Sequence, residues 1–141
     1  MKVIFGVVLV TMIVGCGPSK KIQSRDMRAL ILLAKAIRAY SLDKNGVYPA
    51  SLDDPKFLEV VGQPKRLEFK NWKTGEVARP WYLKGQTAMS PAGEILMASP
   101  WVYGKKRVVV FCNSSARVLP ESRFQEELAK ILEAGGRELV K

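Results

Sequence analysis

The chain has 141 residues, 48% of them hydrophobic and 26% charged, which fits one globular domain of ordinary size with a real core. Lysine and arginine outnumber aspartate and glutamate by 23 to 13, so the formal net charge is +10 and anionic partners have to be considered. Histidine is absent, which removes the commonest partner of a catalytic serine or cysteine and the commonest metal ligand.

The first element is an uncharged apolar run of 12 residues, Val3 to Val14, preceded by the positive charge of Lys2. This length is typical of a secretory signal peptide, whose apolar region has about 7 to 15 residues. It falls short of the roughly 20 residues that a membrane-spanning helix needs. The N-terminus therefore predicts export.

The string Ile13-Val14-Gly15-Cys16 resembles the lipobox of bacterial lipoprotein precursors. The resemblance implies cleavage between Gly15 and Cys16 and a lipid on Cys16 that anchors the protein in the cell envelope. We thus expect a signal peptide over residues 1–15 and a lipidated tether over residues 16–21. The outer membrane is favoured, because no aspartate directly follows Cys16. A plain signal peptide and an uncleaved anchor are the alternatives.

Apolar residues three and four positions apart predict an amphipathic helix that begins at Ser24, as N-cap, and ends near Asp43. Asn45-Gly46 follows, a pair that readily adopts the left-handed conformation that terminates helices. The residues expected to face the core are Met27, Leu30, Ile31, Ala34, Ile37 and Ser41.

A short helical turn reaching Val61 is expected next, with Ser51 or Asp53 as its N-cap. The adjacent carboxylates of Asp53 and Asp54 are also candidate calcium ligands. Capping is the favoured interpretation, because two neighbouring carboxylates without a third oxygen donor do not make a site of six to eight ligands. We expect no metal and no cofactor.

The rest of the chain reads as a small antiparallel sheet of three or four strands followed by a short C-terminal helix. The helix begins near Pro120 and ends at Gly135-Gly136, and residues 135–141 are expected to form a flexible tail. Lys73 to Glu76 is the expected turn of a first hairpin over residues 67–77. The strand candidates are 81–83, 94–98, 107–112 and 116–119.

The helix followed by the string AYSLDKNGVYP at residues 39–49, and then by a small antiparallel sheet, resembles the heads of type IV pilins and type II secretion pseudopilins. The resemblance implies a pilin-like α+β head over residues 22–134. The chain departs from pilins in its N-terminal segment, which lacks an acidic residue and the longer apolar helix that packs subunits into a filament. No filament-forming residue is therefore carried over.

Basic and aromatic residues interleave in the strand region, which makes an anionic-polymer surface a candidate site. Core packing of the aromatic rings is the favoured interpretation. The candidate contacts are Arg79, Trp81, Lys105, Lys106 and Arg107. Cys112 ends a strand pattern rich in valine and is expected to be a buried, unreactive thiol.

These patterns predict a non-enzymatic, lipid-anchored envelope protein whose domain contacts a protein partner, within an apparatus similar to pilus or type II secretion systems. No small-molecule substrate is indicated. The alternative is a binding module for an anionic polymer, either DNA or a cell-wall glycan.

Overall fold

The computed structural model describes the backbone of residues 2–141 and the side chains of residues 20–141. Three helices, α1 to α3, span Lys2–Leu42, Pro55–Val61 and Glu121–Ala134, and a 3₁₀ turn spans Pro64–Leu67. Seven strands, β1 to β7, span Phe69–Lys70, Val77–Ala78, Trp81–Lys84, Ile95–Ala98, Lys106–Phe111, Ala116–Pro120 and Glu138–Val140.

Five strands form an antiparallel sheet in the order β6-β5-β4-β3-β7, and β1 pairs with β2 as a separate short hairpin. The helix α1 covers one face of the sheet and α3 covers the other. Successive residues of β5 alternate between these layers: Val108 and Val110 belong to the core under α1, and Val109 to the core under α3. The predicted α+β class is confirmed, with five strands in the main sheet where three or four were expected.

The helix α1 ends where its sequence predicts but begins much earlier. Asn45 (φ 55°) and Gly46 (φ 78°) adopt left-handed conformations just after it, and the Gly46 amide donates to the Ser41 carbonyl at 3.0 Å. The expected start at Ser24 is wrong, because the helix runs unbroken from Lys2. The apolar run contains no proline, and Pro18 lies farther along the same helix, where its missing amide removes one backbone hydrogen bond.

The predicted tether over residues 16–21 lies within this helix and is not irregular. The lipid attachment and cleavage predicted at Gly15 and Cys16 concern side chains outside the described residues, and they stay predictions. Within the part of the chain whose side chains are described, no helix is long and apolar enough to cross a membrane.

Helix α2 reaches Val61 as expected, but its N-cap is Asp54 and not Ser51 or Asp53. The Asp54 Oδ1 atom accepts hydrogen bonds from the backbone amides of Lys56 at 2.9 Å and Phe57 at 3.3 Å. Asp53 instead pairs with Arg79. Because Pro55 occupies the first helical position, the residue before it is the one placed to cap.

The expected flexible tail over residues 135–141 is wrong, since Glu138–Val140 forms the edge strand β7 against β3. Arg137 fixes the chain just before it, donating to the Glu94 carboxylate at 2.9 Å and to the Gln86 side chain at 3.2 Å. A Cβ on Gly85 would lie 2.2 Å from the Gly136 carbonyl oxygen, so this close approach requires glycine. The order of this segment therefore comes from its pairing with β3, which is distant in the sequence.

Candidate functional site

The most distinctive surface feature is a groove that follows α1, which we call the α1 furrow. It has an apolar section of about 320 Å³ and a basic section of about 300 Å³, and the two sections share Ala29 and Arg66. The apolar section is further lined by Leu32, Leu33, Ala36, Val60 and Val61. The basic section is further lined by Arg25, Asp26, Lys65, Glu68, Phe69 and Lys70.

The apolar section exists because α1 and α2 leave large apolar side chains uncovered. Leu32 is 63% exposed and Val60 is 43% exposed. Ala29 and Ala36 flank Leu32 at helical spacing on α1, and their small side chains leave the space between the helices open. Contiguous exposed apolar groups rimmed by polar residues are typical of interaction sites.

The basic section contains four cations and two carboxylates, and part of this charge is already paired. Arg25 donates to Asp26 at 3.1 Å and to the Lys70 carbonyl at 3.3 Å. Arg66 donates to the Val61 carbonyl at 3.0 Å. Among the described side chains, no carboxylate lies within salt-bridge distance of the amino groups of Lys65 or Lys70. Arg66 likewise bonds to a carbonyl and not to a carboxylate, so Lys65, Arg66 and Lys70 carry the unpaired positive charge of the section.

A buried contact ties the strand loops to α1 beside the basic section. Asp26 is 3% exposed and accepts a hydrogen bond from the Tyr103 hydroxyl. Burial, together with the Asp26 charge, raises the pKa of Tyr103, so its hydroxyl stays a donor at physiological pH. Tyr103 also pairs with Lys106 across a turn at Gly104. Lys105, in this turn, and Lys106, the first residue of β5, thus lie at the same end of the domain as Arg25.

The candidate anionic-polymer residues do not form one accessible surface. Arg107 is 4% exposed, and its guanidinium lies 4.0 Å from the Trp81 ring centroid and pairs with Glu121. Arg79 is exposed but is paired with Asp53. The Arg107 guanidinium is therefore buried, and the half-buried Trp81 ring packs against Arg107 and Phe124, which agrees with the favoured interpretation of core packing at these two positions.

Cys112 is buried, as predicted. Burial, with the nearby Glu94 carboxylate adding to it, raises the pKa of the Cys112 thiol to about 12. The thiol is protonated at neutral pH and is a poor nucleophile. Among the described side chains, no group of three or more acidic or cysteine residues is placed to hold a metal ion.

Sequence reasoning did not identify the α1 furrow, although one signal for it was present. Leu32 lies off the apolar stripe that predicts the core-facing side of α1, so it had no assigned partner. Its significance depends on where α2 packs, which the helix pattern does not specify.

No known protein family, no curated protein and no solved structure matches this chain.

Proposed function

We propose that the protein is a non-enzymatic, lipid-anchored component of the cell envelope whose α+β domain contacts a protein partner, with a pilin-like head. The observation that carries this proposal is α1 itself. Its first part contains the apolar run and Cys16, and its last part packs on an antiparallel sheet.

The packing of the last part of α1 fixes the direction in which the helix leaves the domain toward Cys16. Leu30, Ala34 and Ile37 are each 0% exposed, so this part cannot separate from the sheet without exposing the core. Only a short segment, which includes Gly17 and Pro18, lies between Cys16 and the packed part. Such a connection suits a protein whose domain is held close to a membrane.

The apolar section of the α1 furrow is the surface that we propose for the partner. Its exposed Leu32 and Val60 match an apolar segment, and Arg66 at its rim matches an acidic side chain beside that segment. The partner is thus expected to offer an apolar helix or strand flanked by a carboxylate.

The anchor is tested by growing cells that express the full chain with a labelled fatty acid. We expect the wild-type protein to carry the label and Cys16→Ala to lack it and accumulate as precursor, because the thiol is the acceptor. Cys112→Ala is the matched control and should be labelled like the wild type. Normal processing of Cys16→Ala would show an ordinary signal peptide and refute the lipid anchor.

The partner surface is tested by replacing Leu32 with a photo-reactive phenylalanine derivative and irradiating cells that express the full chain. We expect a discrete cross-linked product, which the second change Val60→Glu reduces at least about tenfold by placing a charge in the apolar section. The same replacement at Met89, which is 91% exposed on the loop between β3 and β4 and does not line the furrow, is the control and should give no such product. Equal products at both positions, or no effect of Val60→Glu, would contradict the proposed surface.

A further inference from the structure

We propose that the basic section of the α1 furrow binds the phosphate headgroup of an anionic phospholipid in the membrane that carries the protein. This inference rests on the lipid anchor of the proposed function. It assigns a ligand class to a surface that adjoins the apolar section proposed for the partner and shares Ala29 and Arg66 with it.

The charge of the section suits a phosphate. Arg25 and Arg66 are oriented by bonds to backbone carbonyls, whereas Lys65 and Lys70 are exposed and have no carboxylate partner among the described side chains. Asp26 is buried, accepts from Tyr103 and is paired with Arg25, and Glu68 is the exposed carboxylate of the section. The four cations outnumber these two carboxylates, so the section stays positively charged. Two ammonium groups beside two oriented guanidinium groups favour an anion with several acceptor oxygen atoms, such as a phosphate.

The position of the section places it near the bilayer. Arg25 follows Cys16 by nine residues on one continuous helix, which corresponds to about 14 Å along the axis. The exposed cations Lys20 and Lys21 lie between them. The Lys70 carbonyl accepts from Arg25, so Lys70 lies beside Arg25, between one and two Debye lengths of about 8 to 10 Å from Cys16 at physiological salt. Contact with a headgroup therefore requires α1 to tilt toward the groove.

The test uses the full chain reconstituted in lipid vesicles and measures, by mass spectrometry, how fast an acetylating reagent modifies each lysine. In vesicles containing phosphatidylglycerol, we expect Lys65 and Lys70 to react at least about tenfold more slowly than in pure phosphatidylcholine. Lys84 and Lys130 are exposed internal controls that should react equally in both. The slowing should disappear in about 1 M salt, where the Debye length is about 3 Å.

A single substitution tests the site while leaving a reporter in place. In Lys65→Gln, the factor by which phosphatidylglycerol slows the acetylation of Lys70 is expected to fall about fivefold. This is the effect of one charge near an anionic surface. Lys84→Gln removes the same charge from the end of β3 and should leave the slowing at Lys70 unchanged. An equal effect of both substitutions would indicate general attraction and overturn the site.

The remaining outcomes distinguish other ligands. Equal labelling in the two kinds of vesicle overturns the inference. In phosphatidylcholine vesicles, slower acetylation of Lys65 and Lys70 on adding a single-stranded oligonucleotide would instead identify a polymer site. Slower acetylation on adding millimolar inorganic phosphate would identify a free-anion site. Fatty-acid labelling of Cys16 separates the two proposals. If the protein carries the fatty acid but its lysines are not acetylated more slowly in phosphatidylglycerol vesicles, the furrow site alone is refuted. If acetylation is slowed but no fatty acid is attached, the lipid anchor alone is refuted.

Discussion

Arg107→Met is expected to lower the free energy of unfolding by about 3 kcal/mol, near the lower end of the cost of breaking a buried ion pair. The guanidinium donates to both Glu121 carboxylate oxygens, at 2.8 and 3.1 Å, and to the Ser99 carbonyl at 2.6 Å. Its side chain is 5% exposed, whereas that of Glu121 is 27% exposed and keeps some water when its partner is lost. Chemical denaturation of the full chain in neutral detergent measures the change.

Helix α3, which carries Glu121, also offers a matched control. Arg123 pairs with Glu127 at 3.1 Å but is 65% exposed, so Arg123→Met should cost less than about 1 kcal/mol. Adding Glu121→Gln to Arg107→Met should recover part of the lost stability, because it removes the carboxylate left without its partner. A loss below about 1 kcal/mol for Arg107→Met would contradict the structural role of this ion pair.

The pH dependence of the same variant gives an independent readout. Burial alone would raise the pKa of Glu121, but the hydrogen bonds from Arg107 and Gln125 and the charge of Arg107 lower it below its ordinary value of 4.5. The stabilisation is thus present above the unfolded-state pKa and is lost as pH falls through the depressed folded-state pKa. The difference between wild type and Arg107→Met should therefore narrow below about pH 4.

Local patterns predicted the elements whose formation depends on local chemistry. Asn45-Gly46 marked the end of α1 because its left-handed conformation is intrinsic to those residues. The valine-rich segment from Arg107 onward predicted β5, and Ala116 to Leu119 predicted its partner β6. Pro120 and the double glycine at 135–136 bracketed α3 correctly.

The sites, by contrast, depend on contacts between distant parts of the chain. Arg107 looked like a surface cation, and only Trp81 on β3 and Glu121 on α3 together explain its burial. Residues 138–140 show no local pattern that predicts a strand. Strand β7 forms because it pairs with β3, which is distant in the sequence. The α1 furrow likewise requires the position of α2, which is set by the packing of Phe57.

Phe57→Ala is accordingly expected to have the largest effect of the core substitutions beside the furrow, about 3 to 5 kcal/mol in the free energy of unfolding. Phe57 is 0% exposed and meets Tyr40 edge-on, with ring centroids 6.2 Å apart. It is the side chain by which α2 is anchored to α1, so its loss leaves a cavity between the two helices. Val60→Ala, on the exposed side of α2, should cost less than about 1 kcal/mol.

The same pair of variants connects the core to the proposed function. Val60 and Val61 form the α2 wall of the apolar section, and that wall stands where it does because Phe57 is buried beneath it. Phe57→Ala should therefore weaken the Leu32 cross-link even under conditions in which circular dichroism shows the domain folded. Phe57→Leu, which keeps most of the apolar volume, should retain the cross-link. A full cross-link in folded Phe57→Ala would mean that the partner contacts α1 alone and that α2 is no part of the site.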